Sequence, residues 1–468
     1  MRISGSYRRL HPTLALLVLF AGCAHFTPKP VELDKSASAF EARTLAAPEV
    51  KSFIEKNTRK EIRPWPPETW DFDELLLAAV YYSPRMDVAR ARWAVREAGV
   101  KTAEERPNPS VDLLPQYDAN SPAGLVPWTV GISFDIPIET AHKRGYRIAA
   151  ASRLSEAARL DIAEAEWTVS SVLRSRLLDL YGADMALEIL REKSDILGEA
   201  VKALEERAAS GEISSIDVTA ARVALEDTKT LYLKAKANSE RARTRLAASI
   251  GIPSSALDGA AITYPFKESI AEPPAAVLQR KSLTGRADML ASLERYRAAE
   301  AALQLEIAKQ YPDIHLGPGY TYDQEINRWG IGFTVELPVL NHNEGPIAEA
   351  EARRSEAGAD IKALQARIIG ELDTAQAGYK AAIARLKAAD RLLVEGKKRL
   401  GGAQSRLEAG EADRLAYLGE MIEFETLKES RLESFLDVQR FTGLMEDAIQ
   451  RPASEWSNKD VRKPLVSE

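Results

Sequence analysis

Proline is absent from two long stretches of this chain. All 24 prolines of the 468-residue sequence lie outside residues 138–252 and 347–451. A proline inside a helix removes a backbone hydrogen bond and costs about 3 kcal/mol. The two proline-free blocks therefore predict long helices. At about 1.5 Å per residue, a helix from about 141 to 210 would be roughly 100 Å long.

Apolar residues within these blocks recur at helical spacing. In the first block they are Leu173, Leu177, Leu180, Leu187, Leu190, Leu197, Val201, Leu204 and Ala208. Steps of three, four and seven place apolar side chains on one face of a helix. The pattern predicts a coiled-coil-like packing face.

The segments that precede the two blocks repeat each other. Trp, Gly and Pro recur 201 residues apart, at Trp128 and Trp329, Gly131 and Gly332, and Pro137 and Pro338. Between each Trp and Pro, apolar residues alternate with small or polar ones, which is the period of a half-buried strand. We expect strands at about 110–118 and 127–137, and again at about 312–323 and 328–338. Each copy then has the order helix, strand, strand, very long helix, turn, helix.

The repeats give the chain its domain boundaries. The first copy covers 71–251 and the second covers 276–451, with an irregular, proline-containing crossover at 252–275. The remaining residues, 452–468, form a polar and loosely ordered tail in this prediction.

Glycines mark the turn that follows each long helix. Gly211 and Gly410 lie in turns at about 209–214 and 408–413, and glycine suits a helix end because it accepts a left-handed backbone. Ser214 and Asp217 have the spacing of a capping box for the next helix, and Asp413 is a candidate cap in the second copy.

The N-terminus has the pattern of an export signal. Three arginines precede an apolar run at 14–20 that is too short to span a bilayer, and Cys23, the chain's one cysteine, follows Ala21 and Gly22. This resembles a bacterial lipoprotein box, with a signal peptide at 1–22, a lipid on Cys23 and a lipidated extension at 23–70. Ala24 favours the outer membrane. The alternative is an ordinary leader with an incidental cysteine.

Composition argues against nucleic acid and against an enzyme. The 63 basic and 69 acidic residues are intermixed, and no polybasic block is present. The five histidines are scattered, and the sequence has no Cys/His cluster, phosphate-binding loop or nucleophile elbow. We therefore expect no catalytic residue, no metal site and no cofactor other than the lipid. His142 and His342, just past the second strand of each copy, are interpreted as rim residues rather than as metal ligands.

The strands are about the length that crosses a membrane at a tilt. Four strands cannot close a barrel, and an open sheet edge is not viable in lipid. If the strands enter the membrane, copies of the chain must share one barrel, of eight strands from two copies or twelve from three.

The repeated order, the glycine-marked turns and the lipoprotein box together resemble the TolC-like outer-membrane efflux proteins, over about residues 70–450. The segments 105–109, 127–131 and 136–138 are most similar to the branch that serves heavy-metal pumps of the resistance–nodulation–division class.

The resemblance implies a mainly α fold with membrane β structure. Three copies would form an α-helical tunnel topped by a shared 12-stranded β-barrel in the outer membrane. This homotrimer would be a passive duct docked to a periplasmic adaptor and an inner-membrane pump. The tips that contact the adaptor would be Ser210, Gly211, Glu212 and Ile213, and Ala409, Gly410, Glu411 and Ala412.

Two further assignments remain open at this stage. Asp217 and Asp413 are candidate residues of the periplasmic gate, although a helix cap is the plainer interpretation of each. Trp128 and Trp329, at strand ends, suit the aromatic girdle of a barrel, with core packing as the alternative.

Two other functions compete with an efflux duct. A non-channel periplasmic coiled-coil lipoprotein, acting as an adaptor or spacer, would share the lipoprotein box and the long helices but would not need the alternating strands. A duct for type I protein secretion would share the whole architecture. The exported substrate remains open among metal ions, drugs, solvents and peptides.

Overall fold

The computed structural model describes residues 25–121, 124–270 and 275–456, in two compact units that divide between Arg43 and Thr44. The described part of the first unit contains helix α1 (Leu33–Glu41), which has no buried side chain. The predicted signal peptide and Cys23 lie outside the described residues, as do residues 457–468 of the predicted tail.

The second unit holds the remaining elements. Its helices are α2 (Pro48–Thr58), α3 (Phe72–Tyr82), α4 (Pro84–Glu104), α5 (Lys143–Ala209), α6 (Ser215–Ile250), α7 (Ala275–Gly285), α8 (Ala287–Ala308), α9 (Glu344–Glu408) and α10 (Arg414–Ile449). Its strands are β1 (Thr69–Trp70), β2 (Ser110–Tyr117), β3 (Trp128–Ile138), β4 (Ala261–Ile262), β5 (Ile314–Asp323) and β6 (Ile326–Val335). Short 3₁₀ turns occupy Ser254–Leu257 and Ala453–Glu455.

Two helices dominate the fold, α5 with 67 residues and α9 with 65. Each is roughly 100 Å long at 1.5 Å per residue. Each turns back into a 36-residue partner, α6 or α10. Neighbouring helices follow the order α6, α5, α10, α9, so α6 and α9 lie at the two lateral edges. Towards the strands, α4 and α8 pack against α5, and α8 also packs against α9.

Helices α5 and α6, which make up most of the proline-free block at 138–252, pack against each other along their length. From residue 215 to residue 242, the covered positions of α6 are 218, 221, 225, 228, 232, 235, 239 and 242, which alternate steps of three and four. That is the spacing of a coiled-coil seam, in which only a narrow stripe of a helix meets its partner. Among the described residues, no helix combines the length and the apolar character that crossing a bilayer requires.

The largest core lies where α3 and the middle of α5 meet. Leu75, Leu173, Leu177 and Leu180 are completely buried there. Leu180 and its two α5 neighbours are residues of the predicted apolar stripe, so burial of that stripe anchors the long helix.

The predicted N-terminal extension departs from a simple tether. From Thr44 onward its residues join the core: Val50 and Ile54 are fully buried, and Trp70 is 3% exposed. The Tyr82 hydroxyl also donates to the Thr44 carbonyl at 2.9 Å. From Thr44 onward, the predicted extension is therefore part of the folded core, because the apolar face of α2 packs against it.

The crossover and the tail also hold more structure than predicted. In the crossover, β4 pairs in parallel with β1, with Trp70 opposite Ile262. At the start of the tail, Trp456 is 1% exposed and its indole Nε1 donates to the Arg451 carbonyl at 3.1 Å. The tail is thus packed through residue 456, because burial of the large indole ring is favourable when its N–H has a hydrogen-bond acceptor.

The other four strands form one antiparallel sheet in the order β2, β3, β5, β6. Its strands come from both repeats, joined by pairing of β3 with β5. Strand β6 ends at Val335, three residues before the predicted end at 338, because Val335 already pairs with Ile314, the first residue of β5.

Close packing of α9 on α10 gives the first prediction. A Cβ atom added at Gly378 would lie 2.0 Å from the ring of Phe441, so we expect Gly378→Ala to lower the free energy of unfolding by about 1–3 kcal/mol. Adding Phe441→Leu should recover part of that loss, which makes the two effects non-additive. Thermal unfolding of the four proteins measures the cycle. Gly358→Ala, on the same helix, is the control because its nearest foreign atom is 3.5 Å away. Strict additivity would contradict this packing.

Candidate functional site

The four-stranded sheet has two chemically opposite faces. Pairing across all four strands places one apolar set on a single face: Val111, Leu113, Pro115, Tyr117, Trp128, Val130, Ile132, Phe134, Ile136, Ile314, Leu316, Pro318, Tyr320, Tyr322, Trp329, Ile331, Phe333 and Val335. Many of these side chains are exposed, with Ile331 at 69% and Phe333 at 71%. A face this apolar and this uncovered is a surface that contacts another apolar phase.

Both predicted girdle residues lie on this face, in the half of the sheet away from the long helices. Trp128 stands opposite Tyr117, with ring centroids 5.0 Å apart, and Trp329 stands opposite Tyr320 at 4.7 Å. Trp128 is 50% exposed and Trp329 is 81% exposed, so neither indole is a core residue of the described chain.

The opposite face carries mainly glycine and polar groups, together with Leu114 and Ile326. Glycines occupy positions 131, 317, 319, 330 and 332, and the charged residues are Asp112, Asp135, Asp323 and Arg328. The Thr129 hydroxyl donates to Asp323 at 3.0 Å, and Arg328 pairs with the same carboxylate. Three aspartates against one arginine give this face a formal charge of −2 per chain, with His315 neutral.

A hydrogen-bonded joint connects the sheet to α5. Asp313, just before β5, accepts from the Lys143 ammonium at 2.7 Å and from the Thr140 backbone N–H at 2.8 Å. Burial raises the pKa of this carboxyl, but these hydrogen bonds outweigh burial, and the pKa lies below its usual range. The joint fixes where the strands of one repeat meet the long helix of the other.

The two helix tips, at the far ends of α5 and α9, have the same backbone geometry. Gly211 has φ +79° and Gly410 has φ +73°, the left-handed conformation that glycine adopts without steric cost. The Glu212 N–H donates to the Arg207 carbonyl at 2.9 Å, and the Glu411 N–H donates to the Arg406 carbonyl at 2.8 Å. This six-to-one bond is a Schellman helix ending.

The tips expose most of the residues predicted to contact an adaptor. Ser210, Gly211, Glu212, Ala409, Gly410 and Glu411 are exposed, and Ile213 and Ala412 are half-buried. The two tips lie side by side, because Arg207 of the first forms an ion pair with Asp413 of the second at 2.7 Å.

The two candidate gate residues are helix caps. Asp217 completes a capping box by accepting from the Ser214 N–H at 3.3 Å, and Asp413 accepts from the Leu415 N–H at 3.3 Å. Both aspartates are exposed in the single chain. Asp413 corresponds to Ser214, and the position that corresponds to Asp217 is Ala416, so the tips carry different charges.

The two rim histidines are not equivalent. His142 precedes α5 with φ +61°, and the residue with the same geometry before α9 is Asn343, also at φ +61°. Asn343 uses its side chain to donate to the Glu306 carbonyl at 2.7 Å. The 201-residue offset therefore aligns His142 with Asn343 rather than with His342. Within residues 25–121, 124–270 and 275–456, no three His, Cys, Asp or Glu side chains form a metal-binding group.

An ionic cluster between α5 and α10 was absent from the sequence predictions. The Lys428 ammonium donates to Glu192 at 2.9 Å and to Glu425 at 2.7 Å. Burial raises the pKa of Glu425 and its hydrogen bond with Lys428 lowers it, and the net shift is upward. Glu192 and Lys428 lie 236 residues apart, so spacing gives no indication of their contact.

The fold and the N-terminal half of the chain both have known relatives. Residues 76–252 match the family model "Outer membrane efflux protein". The chain aligns over 81% of its length with the outer membrane protein VceC of Vibrio cholerae, covering 96% of that chain with TM-score 0.66 and 18% identity. It also aligns over 92% of its length with the outer-membrane channel OprN, covering 99% of that chain with TM-score 0.66 and 18% identity.

The chain is similar to the outer membrane efflux proteins over residues 76–252. Its fold is that of the TolC-like channels, as the repeats predicted. A further relative is the cobalt-zinc-cadmium resistance protein CzcC of Cupriavidus metallidurans, 28% identical over 256 residues, which are 54% of this chain. The match spans 59% of the length of that relative. These three proteins are named as a membrane protein, a channel and a resistance protein, none as an enzyme.

The Asp313 joint predicts a pH-dependent stability. Its folded pKa lies below the unfolded value, so its contribution is present above about pH 4 and is lost as the pH falls through the folded pKa. We expect Asp313→Asn to cost about 1.5–3 kcal/mol at pH 7, because Lys143 is left without this carboxylate. Thermal unfolding in detergent at pH 7 and pH 3 measures the difference, which should shrink at pH 3.

Glu61→Gln is the matched control for that experiment. Glu61 pairs with Arg63, and both side chains are largely exposed, so its removal should change the unfolding temperature little at either pH. An equal loss at both pH values for Asp313→Asn would contradict a charge-dependent joint.

The cap at the second tip can be separated from its ion pair. Asp413→Asn keeps an oxygen that accepts from the Leu415 N–H but loses the charge that faces Arg207. We expect it to lower the stability by only about 0.2–1 kcal/mol, because exposed ion pairs contribute little. Asp413→Ala loses both and should cost about 0.5–2 kcal/mol more. Hydrogen exchange of the first-turn amides of α10 measures both variants, with Ser214→Ala as the cap-only comparison at the first tip. Equal exchange in the Asn and Ala variants would show that the cap contributes nothing.

Proposed function

We propose that this chain is a subunit of an outer-membrane efflux duct that carries small molecules or metal ions. The observation that supports this best is the four-stranded sheet with one apolar face, one polar face and two unpaired edges, joined to helices roughly 100 Å long. The family match and the fold of the relatives support the same function.

The sheet supplies the physical reason for assembly. On their outer sides β2 and β6 have no partner strand within the described chain. In lipid, every backbone N–H and C=O must find a partner inside the protein, so an open sheet edge is excluded. If β6 of one copy pairs with β2 of the next, three copies close a barrel of twelve strands. Its apolar face then meets lipid and its polar face lines the lumen.

The helices complete the passage on the periplasmic side. Because α6 and α9 lie at the lateral edges of each four-helix ribbon, three copies arranged around the same axis form a tunnel of twelve helices. The tip turns at 209–214 and 408–413 are then at its end, where we propose that they contact a periplasmic adaptor bound to an inner-membrane pump. The pump, not the duct, supplies the energy.

The proposed cargo class includes divalent metal ions. The resistance protein CzcC is named for cobalt, zinc and cadmium, and the polar face of this chain carries a net negative charge. Cations are attracted to a lumen of that sign. We also propose that a lipid on Cys23 tethers the assembly to the outer membrane.

The decisive experiment is the mass of the full-length protein extracted from membranes in detergent, followed by electron microscopy. We expect a trimer shaped as a long cylinder. A monomer or dimer without a barrel would overturn the duct and favour a coiled-coil spacer lipoprotein.

A pair of substitutions on β6 tests which face meets lipid. Ile331→Lys places a charge on the apolar face, where a lysine at mid-bilayer costs about 2–4 kcal/mol, and should reduce the yield of membrane-inserted trimer. Thr334→Lys, on the polar face of the same strand, is the matched control and should insert normally. Heat-resistant trimer on a gel measures both. Equal insertion of the two variants would contradict the assigned faces.

A further inference from the structure

The polar face of the sheet holds one imidazole, that of His315. It is the second residue of β5, two positions after the Asp313 joint, so it lies at the end of the sheet nearest the long helices. Of the other histidines in the described chain, His142 and His342 lie in connections between a strand and a helix, and His25 lies in the first unit. His315 is therefore placed where a solute would pass between barrel and tunnel.

Asp135 of β3 holds this imidazole in one orientation. The Nδ1 atom of His315 lies 2.9 Å from Oδ1 and 3.1 Å from Oδ2 of Asp135. A carboxylate can only accept, so Nδ1 carries the hydrogen and Nε2 of the neutral ring keeps its lone pair. A carboxylate that orients a histidine in this way is the usual support of a metal-binding imidazole.

The ring is open to the polar side of the sheet. The side chains of His315 and Asp135 are 41% and 44% exposed. The next residue of β5 on the same face is Gly317, whose partner on β6 is Gly332, and neither has a side chain to cover the ring. A hydrated cation can thus approach Nε2.

We propose that His315, oriented by Asp135, is a transient ligand for borderline divalent transition-metal cations such as Zn²⁺ that travel along the polar face. Imidazole nitrogen suits these cations, whereas Mg²⁺ and Ca²⁺ prefer oxygen. Water supplies the remaining ligands. The proposal rests on the proposed function, because it takes the polar face as the lining of a lumen.

The geometry of the barrel requires such a site to be weak. With strands about 4.8 Å apart and tilted by about 40°, twelve strands enclose a barrel roughly 24 Å across. The three copies of His315 are then too far apart to share one ion, so each site offers a single imidazole. Weak, repeated binding is what a conducting path requires, because an ion held tightly does not leave.

A binding experiment tests the site without any need for conduction. Diethylpyrocarbonate modifies accessible imidazole nitrogens, and mass spectrometry of peptides reports each histidine separately. In the full-length protein, added ZnCl₂ should slow modification of His315 while leaving His342 unchanged, and MgCl₂ should protect neither. In Asp135→Asn, the zinc concentration that gives half-protection should rise about 10-fold to 100-fold. Modification of His315 at a rate independent of millimolar Zn²⁺ would overturn the proposal.

Single-channel recording in a planar bilayer adds a second measurement. Zn²⁺ should reduce the conductance of the wild-type channel, and His315→Gln should abolish that effect while His342→Gln retains it. If Zn²⁺ reduced the conductance of His315→Gln and of the wild type equally, the channel would be present but the proposed zinc site at His315 would be overturned. If the proposed duct is wrong, the mass measurement will instead show no trimer. The protection experiment still tests zinc binding at His315 in that case, because it does not require a channel.

Discussion

The unpaired backbone edges of β2 and β6 are the constraint on which the rest of this molecule depends. A strand edge exposes N–H and C=O groups that lipid cannot satisfy, and four strands are too few to close on themselves. The apolar face beside those edges is equally unsuited to water. In the proposed duct, both demands are met together when further copies complete the barrel.

The contacts that hold the helices together differ along their length. Near its middle α5 is covered on most of its surface, and burial of Leu173, Leu177 and Leu180 anchors it in the core. Farther along, the two helical hairpins meet through a small buried apolar cluster of Ile196, Ala200 and Leu418. Ion pairs such as Arg207 with Asp413 also join them there, although exposed ion pairs contribute little.

The joints between the two repeats come from residues far apart in sequence. Arg174 of α5 pairs with Glu446 and Asp447 of α10, and Arg286 donates to the carbonyls of Asp447 and Ala448. Asp313 and Lys143 form the corresponding joint beside the sheet. These contacts fix the register between the repeats, and with it the pairing of β3 with β5 that makes one sheet from two halves.

Much of the fold could be predicted from local pattern. Proline placement predicted helices close to Lys143–Ala209 and Glu344–Glu408, because proline is excluded from a helix interior wherever it falls. Alternation predicted β3 and β6, although β6 runs from Ile326 to Val335 rather than from about 328 to 338. The packing of α2 and of Trp456 was missed, because short segments bury apolar groups only against surfaces that the distant chain supplies.

The features of the candidate site also separate into those set by local sequence and those set by contacts between distant segments. The sequence by itself determined the helices, the glycine turns, the alternation of strand faces and the caps at Ser214 and Asp413, because each depends on residues within a few positions of one another. Only the tertiary structure decided that Asp135 meets His315, that Asp313 meets Lys143 and that the two tips lie side by side. Those contacts join residues on the order of 170 or more positions apart. The physical reason is that local propensity acts through the backbone of one segment, whereas a contact between segments exists only after both repeats have packed.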